Sequence, residues 1–71
     1  MTQNERVLSY LREHHSITQM EAMQEFGIMR LASRIADLKK SGIKIKREMA
    51  KGRNRYGDKI SFAKYSLEEE Q

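Results

Sequence analysis

The segment 18–42, TQMEAMQEFGIMRLASRIADLKKSG, constrains the fold more than any other part of the chain. It predicts two short helices separated by a turn that contains Gly27. The second of these helices, about residues 30–41, has an apolar side and a polar, basic side at helical spacing. The apolar residues are Leu31, Ala32, Ile35 and Leu38, and the polar residues are Arg30, Ser33, Arg34, Asp37 and Lys40. We therefore expect a small core under one face and a basic surface on the other.

Two Thr-x-x-Glu pairs mark where the preceding helices begin. Thr2 with Glu5, and Thr18 with Glu21, have the spacing of a capping box, in which each residue satisfies a backbone N–H of the other. They predict a first helix over about residues 3–14 and a second helix that starts near Gln19. The expected inward residues are Val7, Leu8, Tyr10 and Leu11 in the first helix, and Met20 or Ala22, Met23 and Phe26 in the second. The methionines Met20, Met23, Met29 and Met49 are all expected to fill the core.

After Gly42 the apolar period changes from helical to alternating, which predicts two strands. They cover about residues 43–49 and 60–67, and the turn-rich stretch between them predicts a hairpin centred near Tyr56. Alternation alone allows either face of the second strand, the one with Ile60 and Phe62 or the one with Ala63, Tyr65 and Leu67, to cover the core. We favour the latter, because the register would place Leu67, Tyr65 and Ala63 opposite Ile45, Arg47 and Met49. Ile17 lies in a short extended link that could form a third strand. The predicted fold is α+β, with a three-helix core and a hairpin in residues 1–67 and an acidic, disordered tail in residues 68–71.

The size and charge of the chain limit the classes of function that it can have. The 71 residues allow one domain, and the absence of Cys excludes disulfides and thiolate chemistry. No signal peptide or membrane span is recognisable, so we expect a cytoplasmic protein. Residues 1–29 have a net charge of −2, residues 30–67 of +9 and residues 68–71 of −3. A basic half of this strength indicates a polyanionic partner, although a basic surface can also serve solubility alone.

The order of helix, link, helix, turn, helix, strand, hairpin and strand resembles the small winged helix-turn-helix proteins common in bacteriophages and prophages. The matching stretches are TQNERVLSYLREH, SITQMEAMQEFGIMRLASRIADLKKSG and NRYGDKISFAKYSL. The resemblance covers nearly the whole chain up to Leu67. It implies binding to double-stranded DNA, with the third helix in the major groove and the hairpin wing on the backbone or in the minor groove.

Carried onto this sequence, the resemblance implies that the third helix reads bases. Arg30 and Arg34 could each donate a fork of N–H groups to guanine, Ser33 could donate or accept, and Asp37 could accept from cytosine. Lys40 belongs to the same basic face. The alternative is a solvated face with an internal Arg34–Asp37 or Asp37–Lys40 pair.

The hairpin tip and the start of the second helix are further candidates for DNA contact. The tip groups Lys51, Arg53, Asn54, Arg55 and Lys59 around Tyr56, which fits a phosphate clamp or an ordinary polar turn. Thr18 and Gln19 could present helix N-terminal N–H groups to phosphate.

Two classes of function remain open. The first is a phage or prophage transcription regulator, or an accessory factor for recombination, acting as a homodimer or as several copies on DNA. The second is a protein-interaction module that binds an acidic partner, and RNA binding is a weaker third possibility. We expect no catalytic residue, metal, cofactor or membrane contact. His14 and His15 are adjacent and have no spacing to further ligands that a metal site would need.

Overall fold

The computed structural model describes residues 1–68. Its elements are α1 (Gln3–His14), β1 (Ser16–Thr18), α2 (Gln19–Phe26), α3 (Leu31–Lys40), β2 (Ile45–Arg53) and β3 (Lys59–Leu67). Three helices followed by a β-hairpin confirm the predicted α+β order, and the link at Ile17 does form a third strand. Within the described residues, no helix combines the length and the apolar character needed to cross a membrane.

Both predicted capping boxes are present. At α1 the Thr2 hydroxyl accepts from the Glu5 N–H at 3.1 Å, and the Glu5 carboxylate accepts from the Thr2 N–H at 3.0 Å. At α2 the corresponding bonds join Thr18 and Glu21 at 3.2 and 2.9 Å. Gly27 ends α2 in the left-handed region at φ 68°, which a residue without Cβ adopts at little cost. These local signals fix the limits of α1 and α2 where the sequence predicts them.

The three strands form one antiparallel sheet in the order β1-β3-β2. The predicted hairpin register is correct: Ile45 pairs with Leu67, Arg47 with Tyr65 and Met49 with Ala63. The ladder continues to Arg53 and Lys59, so the turn is shorter than predicted and is centred on Tyr56. On its other side β3 pairs with β1, where Ile17 lies opposite Tyr65.

The core draws on all the helices and on the base of the sheet. Its buried residues are Val7, Leu11, Ile17, Ala22, Ile28, Leu31, Ile35, Leu38 and Ile45. Half-buried side chains pack around them, namely Leu8, Tyr10, Phe26, Ile43, Tyr65 and Leu67. The sheet face predicted to be inward is therefore the one that covers the helices, and Ile17 of the edge strand β1 is fully buried in the core.

The prediction that the methionines fill the core is wrong. Met20, Met23, Met29 and Met49 are 64%, 42%, 71% and 57% exposed. The eight-residue α2 is too short to bury more than a narrow face, and Ala22 and Phe26 occupy that face.

The structure differs from the predicted core at two further residues. Ile28 lies in the turn after α2 and belongs to no periodic pattern, yet its side chain extends into the core and is 1% exposed. Ala32 was expected on the apolar side of α3, but it lies on the flank of the helix and is exposed.

One backbone hydrogen bond lies beyond the predicted domain end at Leu67. The Glu68 N–H donates to the Lys44 carbonyl at 3.0 Å, which extends the contact between the two sides of the hairpin base. The Glu68 backbone therefore has a partner at the base of the hairpin. The rest of the predicted acidic tail, residues 69–71, lies outside the described residues.

Candidate nucleic-acid interface

The side chains of helix α3 fall into a buried, an exposed and a half-buried group. Leu31, Ile35 and Leu38 point into the core. The exposed side chains are Ala32, Ala36, Lys39 and Lys40, and Arg30 is exposed immediately before the helix. Ser33, Arg34 and Asp37 are half-buried along one flank. Ala36 and Lys39 were not among the predicted DNA-contacting residues, although helical spacing alone places both away from Leu31 and Leu38.

The flank of α3 that carries Arg34 lies beside the start of α1. The Arg34 guanidinium contacts the Asp37 carboxylate at 3.3 Å, and the two side chains are 33% and 43% exposed. The Asn4 amide of α1 donates to the same carboxylate at a long 3.5 Å. The internal Arg34–Asp37 pair, one of the predicted alternatives, is thus present. A pair this exposed contributes less than about 1 kcal/mol, so Arg34 can exchange it for another acceptor.

The tip of the hairpin is held by its own polar side chains. The Asn54 side-chain oxygen accepts from the N–H groups of Tyr56 at 2.9 Å and Asp58 at 3.0 Å. The Arg53 guanidinium donates to the Gly57 carbonyl at 2.8 Å. Two of the predicted DNA-contacting residues, Asn54 and Arg53, therefore also have a structural role, because they shape the turn that presents the others.

The remaining cations of the hairpin project into solvent. Lys51, Arg55 and Lys59 are exposed, and Tyr56 is 79% exposed at the tip. Within the turn and the strand ends beside it, residues 51–59, Asp58 is the acidic residue. This balance gives the hairpin tip a positive potential that attracts phosphate groups.

Comparison with known protein families gives a match that covers residues 2–70, to a family described as a winged helix-turn-helix domain. The chain belongs to the winged helix-turn-helix family. No curated protein and no solved structure shows a significant match. Within this winged helix, α2 and α3 form the helix-turn-helix, and β2 with β3 forms the wing. Membership of the family suggests DNA binding.

The turn of the helix-turn-helix is fixed by Gln19, a role that the sequence did not reveal. Its side-chain amide donates to the Ile28 carbonyl at 2.7 Å and accepts from the Leu31 N–H at 2.8 Å. Leu31 is the first residue of α3, so its N–H has no partner inside the helix. One side chain at the start of α2 thereby holds the start of α3. No periodicity or motif signals such a contact, because its partners lie in an irregular turn.

The phosphate site at the start of α2 stays a prediction, and the side chains of Thr18 and Gln19 are engaged internally. Thr18 caps α2, and Gln19 bridges to the turn. In addition, the Glu21 carboxylate accepts from the Thr18 N–H, which places a negative charge at the helix end where phosphate was expected.

Tyr10 ties α1 to the helix-turn-helix. Its hydroxyl donates to Glu21 at 3.0 Å, and its ring contacts Phe26 edge-on, with centroids 5.7 Å apart. Desolvation, followed by the hydrogen bond to Glu21, raises the pKa of the Tyr10 hydroxyl. The His14 ring also contacts the Tyr10 ring, tilted by 38° and with centroids 4.3 Å apart. These contacts give His14 a packing role at the end of α1.

Proposed function

We propose that this winged helix binds double-stranded DNA, with α3 in the major groove and the wing on the phosphate backbone or in the adjacent minor groove. The supporting observation is the distribution of exposed cations. Of the exposed cations in residues 1–68, six lie at the start and end of α3 and near the tip of the wing, namely Arg30, Lys39, Lys40, Lys51, Arg55 and Lys59. These are the two elements through which a winged helix reaches a duplex.

The side chains of α3 differ in how readily they can read bases. Arg30 is exposed and makes no capping bond, so its guanidinium is available to the O6 and N7 of guanine. Arg34 reaches a base when it releases Asp37 or donates through N–H groups outside that pair. Asp37 then acts chiefly by holding Arg34, and contact of Asp37 with a cytosine amine is a secondary role. Ser33 lies between the two arginines and can donate or accept.

The size of the domain indicates how many copies of the protein must bind one DNA site. A single module of this kind buries about 600–1,000 Å² on DNA, which gives modest affinity. Specific binding would then need two or more copies on repeated half-sites. We propose that the protein serves in the cytoplasm as a phage or prophage transcription regulator or as an accessory factor for recombination, since both tasks need DNA binding without catalysis.

An amide NMR titration with a mixed-sequence duplex tests the interface directly. We expect shifts confined to residues 30–40 and 51–59 that fade as the salt concentration rises, because phosphate contacts release counterions. A spectrum that stays unchanged at low salt would contradict DNA binding and favour the alternative of an acidic protein partner.

Alanine variants then separate base reading from phosphate contact, once a preferred site has been selected. We expect Arg30→Ala to lose about 1–3 kcal/mol of preference for that site. Lys51→Ala should instead weaken binding to all sequences and reduce the salt slope by about one. Arg12→Ala is the control, because Arg12 is exposed on α1 beside Leu8 and Ile43. Unchanged base preference in the Arg30 variant would contradict its assignment as a reader.

A further inference from the structure

Tyr56 has the most exposed aromatic side chain in residues 1–68. Its ring and hydroxyl make no hydrogen bond or ring contact within that part of the chain. Tyr10 and Tyr65 instead pack against the core. The residues that favour a tight turn are Gly, Asn, Asp, Pro and Ser rather than aromatic ones. Neither packing nor turn formation therefore explains an aromatic ring at position 56.

The turn at the end of the hairpin places Tyr56 foremost and holds it there. The Gly57 N–H donates to the Asn54 carbonyl at 3.0 Å, which closes a β-turn whose two central residues are Arg55 and Tyr56. Directly behind this turn, the Asn54 N–H donates to the Asp58 carbonyl at 3.0 Å. Together with the side-chain contacts described above, these bonds leave the tip little freedom to rearrange. A rigid support lowers the entropy that is lost when an exposed side chain is bound.

The surroundings of Tyr56 suit a nucleic acid. Lys51, Arg55 and Lys59 are exposed in the same part of the hairpin, and their charges attract phosphate groups. Aromatic side chains stack on bases, and every base offers such a face. In a duplex the bases cover one another, so a side chain reaches a base face only at a step that opens. Proteins open such steps by inserting an apolar side chain from the minor groove, which is about 6 Å wide and therefore fits the end of a hairpin better than a helix.

We infer, on the basis of the proposed DNA binding, that Tyr56 inserts its ring at a base step in the minor groove beside the bases that α3 contacts. Opening a step costs free energy that depends on the sequence of that step. Pyrimidine–purine steps such as TA open easily, whereas runs of A paired with T are stiff. The wing therefore reads the deformability of the duplex, and α3 reads the edges of its bases.

The variant Tyr56→Trp tests the insertion in two parallel titrations with a mixed-sequence duplex. The chain contains no Trp, so the emission of the variant reports on position 56 alone. The anisotropy of a fluorescein-labelled duplex reports binding through any surface. We expect the anisotropy to rise and the Trp emission to be quenched over the same concentration range, because a base stacked on the indole ring quenches its fluorescence.

The two signals distinguish the insertion from DNA binding in general. A rise in anisotropy with unchanged Trp emission overturns the insertion and leaves DNA binding intact. Anisotropy that does not rise, even at low salt, overturns DNA binding itself and the insertion with it.

A matched pair of variants separates the ring of Tyr56 from its hydroxyl. Tyr56→Phe keeps the ring and should bind the duplex as the unchanged protein does. Tyr56→Ala should weaken binding about fivefold or more, which is the lower end of the effect of stacking on one base. Both variants should melt with the unchanged protein, because the side chain is 79% exposed. Equal affinities of the Phe and Ala variants overturn the role of the ring.

Two duplexes of equal composition test the preference for deformable steps. An alternating TA sequence and a run of A paired with T present the same acceptors in the minor groove, but only the first contains TA steps. We expect the preference for the alternating duplex to fall in Tyr56→Ala and to stay unchanged in Tyr56→Phe. A ratio of the two affinities that is the same in all three proteins overturns the preference.

Discussion

Gln19 holds the start of α3 through two hydrogen bonds, and replacing it with methionine should show how much they contribute. The change keeps the length of the side chain and removes both the donor to the Ile28 carbonyl and the acceptor of the Leu31 N–H. Ile28 and Leu31 are each only 1% exposed, so water has little access to replace the lost partners. At about 1 kcal/mol for each hydrogen bond, we expect a loss of about 2 kcal/mol in the free energy of unfolding.

This loss is large for a domain of this size. Seventy-one residues correspond to a total stability of roughly 4–10 kcal/mol, and a loss of 2 kcal/mol lowers Tm by about 8–16 °C. Urea unfolding and thermal melts followed by circular dichroism measure both quantities. Gln24→Met is the matched control, because Gln24 lies exposed on the same helix. Gln19→Glu separates the two bonds, since a carboxylate still accepts from Leu31 but cannot donate to Ile28.

The result that would refute this reasoning is equal stability of Gln19→Met and Gln24→Met. It would mean that water or a local rearrangement satisfies the backbone groups at no net cost. A variant that melts lower and also binds DNA with less sequence preference would show that the two bonds orient α3 as well as stabilise it.

Three further expectations concern single positions. Gly27→Ala should lower the free energy of unfolding by about 1 kcal/mol, measured by urea unfolding, because φ is 68° there and the cost is backbone strain alone, with nothing within 4 Å of an added Cβ. The raised pKa of Tyr10 contributes stability that is present below about pH 10 and is lost as the pH rises through the raised value. Unfolding midpoints measured against pH should therefore fall less steeply in Tyr10→Phe. Hydrogen bonds from the Thr2 backbone and hydroxyl lower the pKa of Glu5, which contributes stability above about pH 4.3 that is lost as the pH falls through the lowered value. In Glu5→Gln the free energy of unfolding, measured as the pH is lowered, should lack this loss. An acid profile equal to that of the unchanged protein would contradict a stabilising role for the Glu5 carboxylate.

Local chemistry was sufficient to predict the framework of the fold. The Thr-x-x-Glu pairs at Thr2 and Thr18 specify their helix starts through bonds between residues three apart, and Gly27 specifies an end through its own φ. The hairpin register could be predicted because alternation and a turn centre near Tyr56 leave one pairing that buries Tyr65 and Leu67. Each of these signals depends on neighbouring residues in the chain.

The predictions fail where packing between residues distant in the sequence determines the structure. Periodicity in the short α2 could not show that Ala22 and Phe26 fill its narrow buried face and leave Met20 and Met23 outside. For the candidate DNA-binding site, the sequence predicted most of the exposed cations. It could not decide whether Arg34 is free or paired with Asp37, because the two residues are three apart on the helix and can meet or separate without a change of fold. The role of Gln19 depends on an irregular turn, which has no sequence period.

The three residues of β1 also govern the order in which the chain can fold. The helices and the hairpin contain mainly contacts between near neighbours, whereas the pairing of Ile17 with Tyr65 closes a loop that contains most of the chain. Loop closure costs entropy before the contact stabilises anything, and such non-local contacts slow folding. Helices and hairpin can form early, but the core is completed only when β3 reaches β1. Weakening that short strand should therefore slow folding of the whole domain rather than loosen its edge alone.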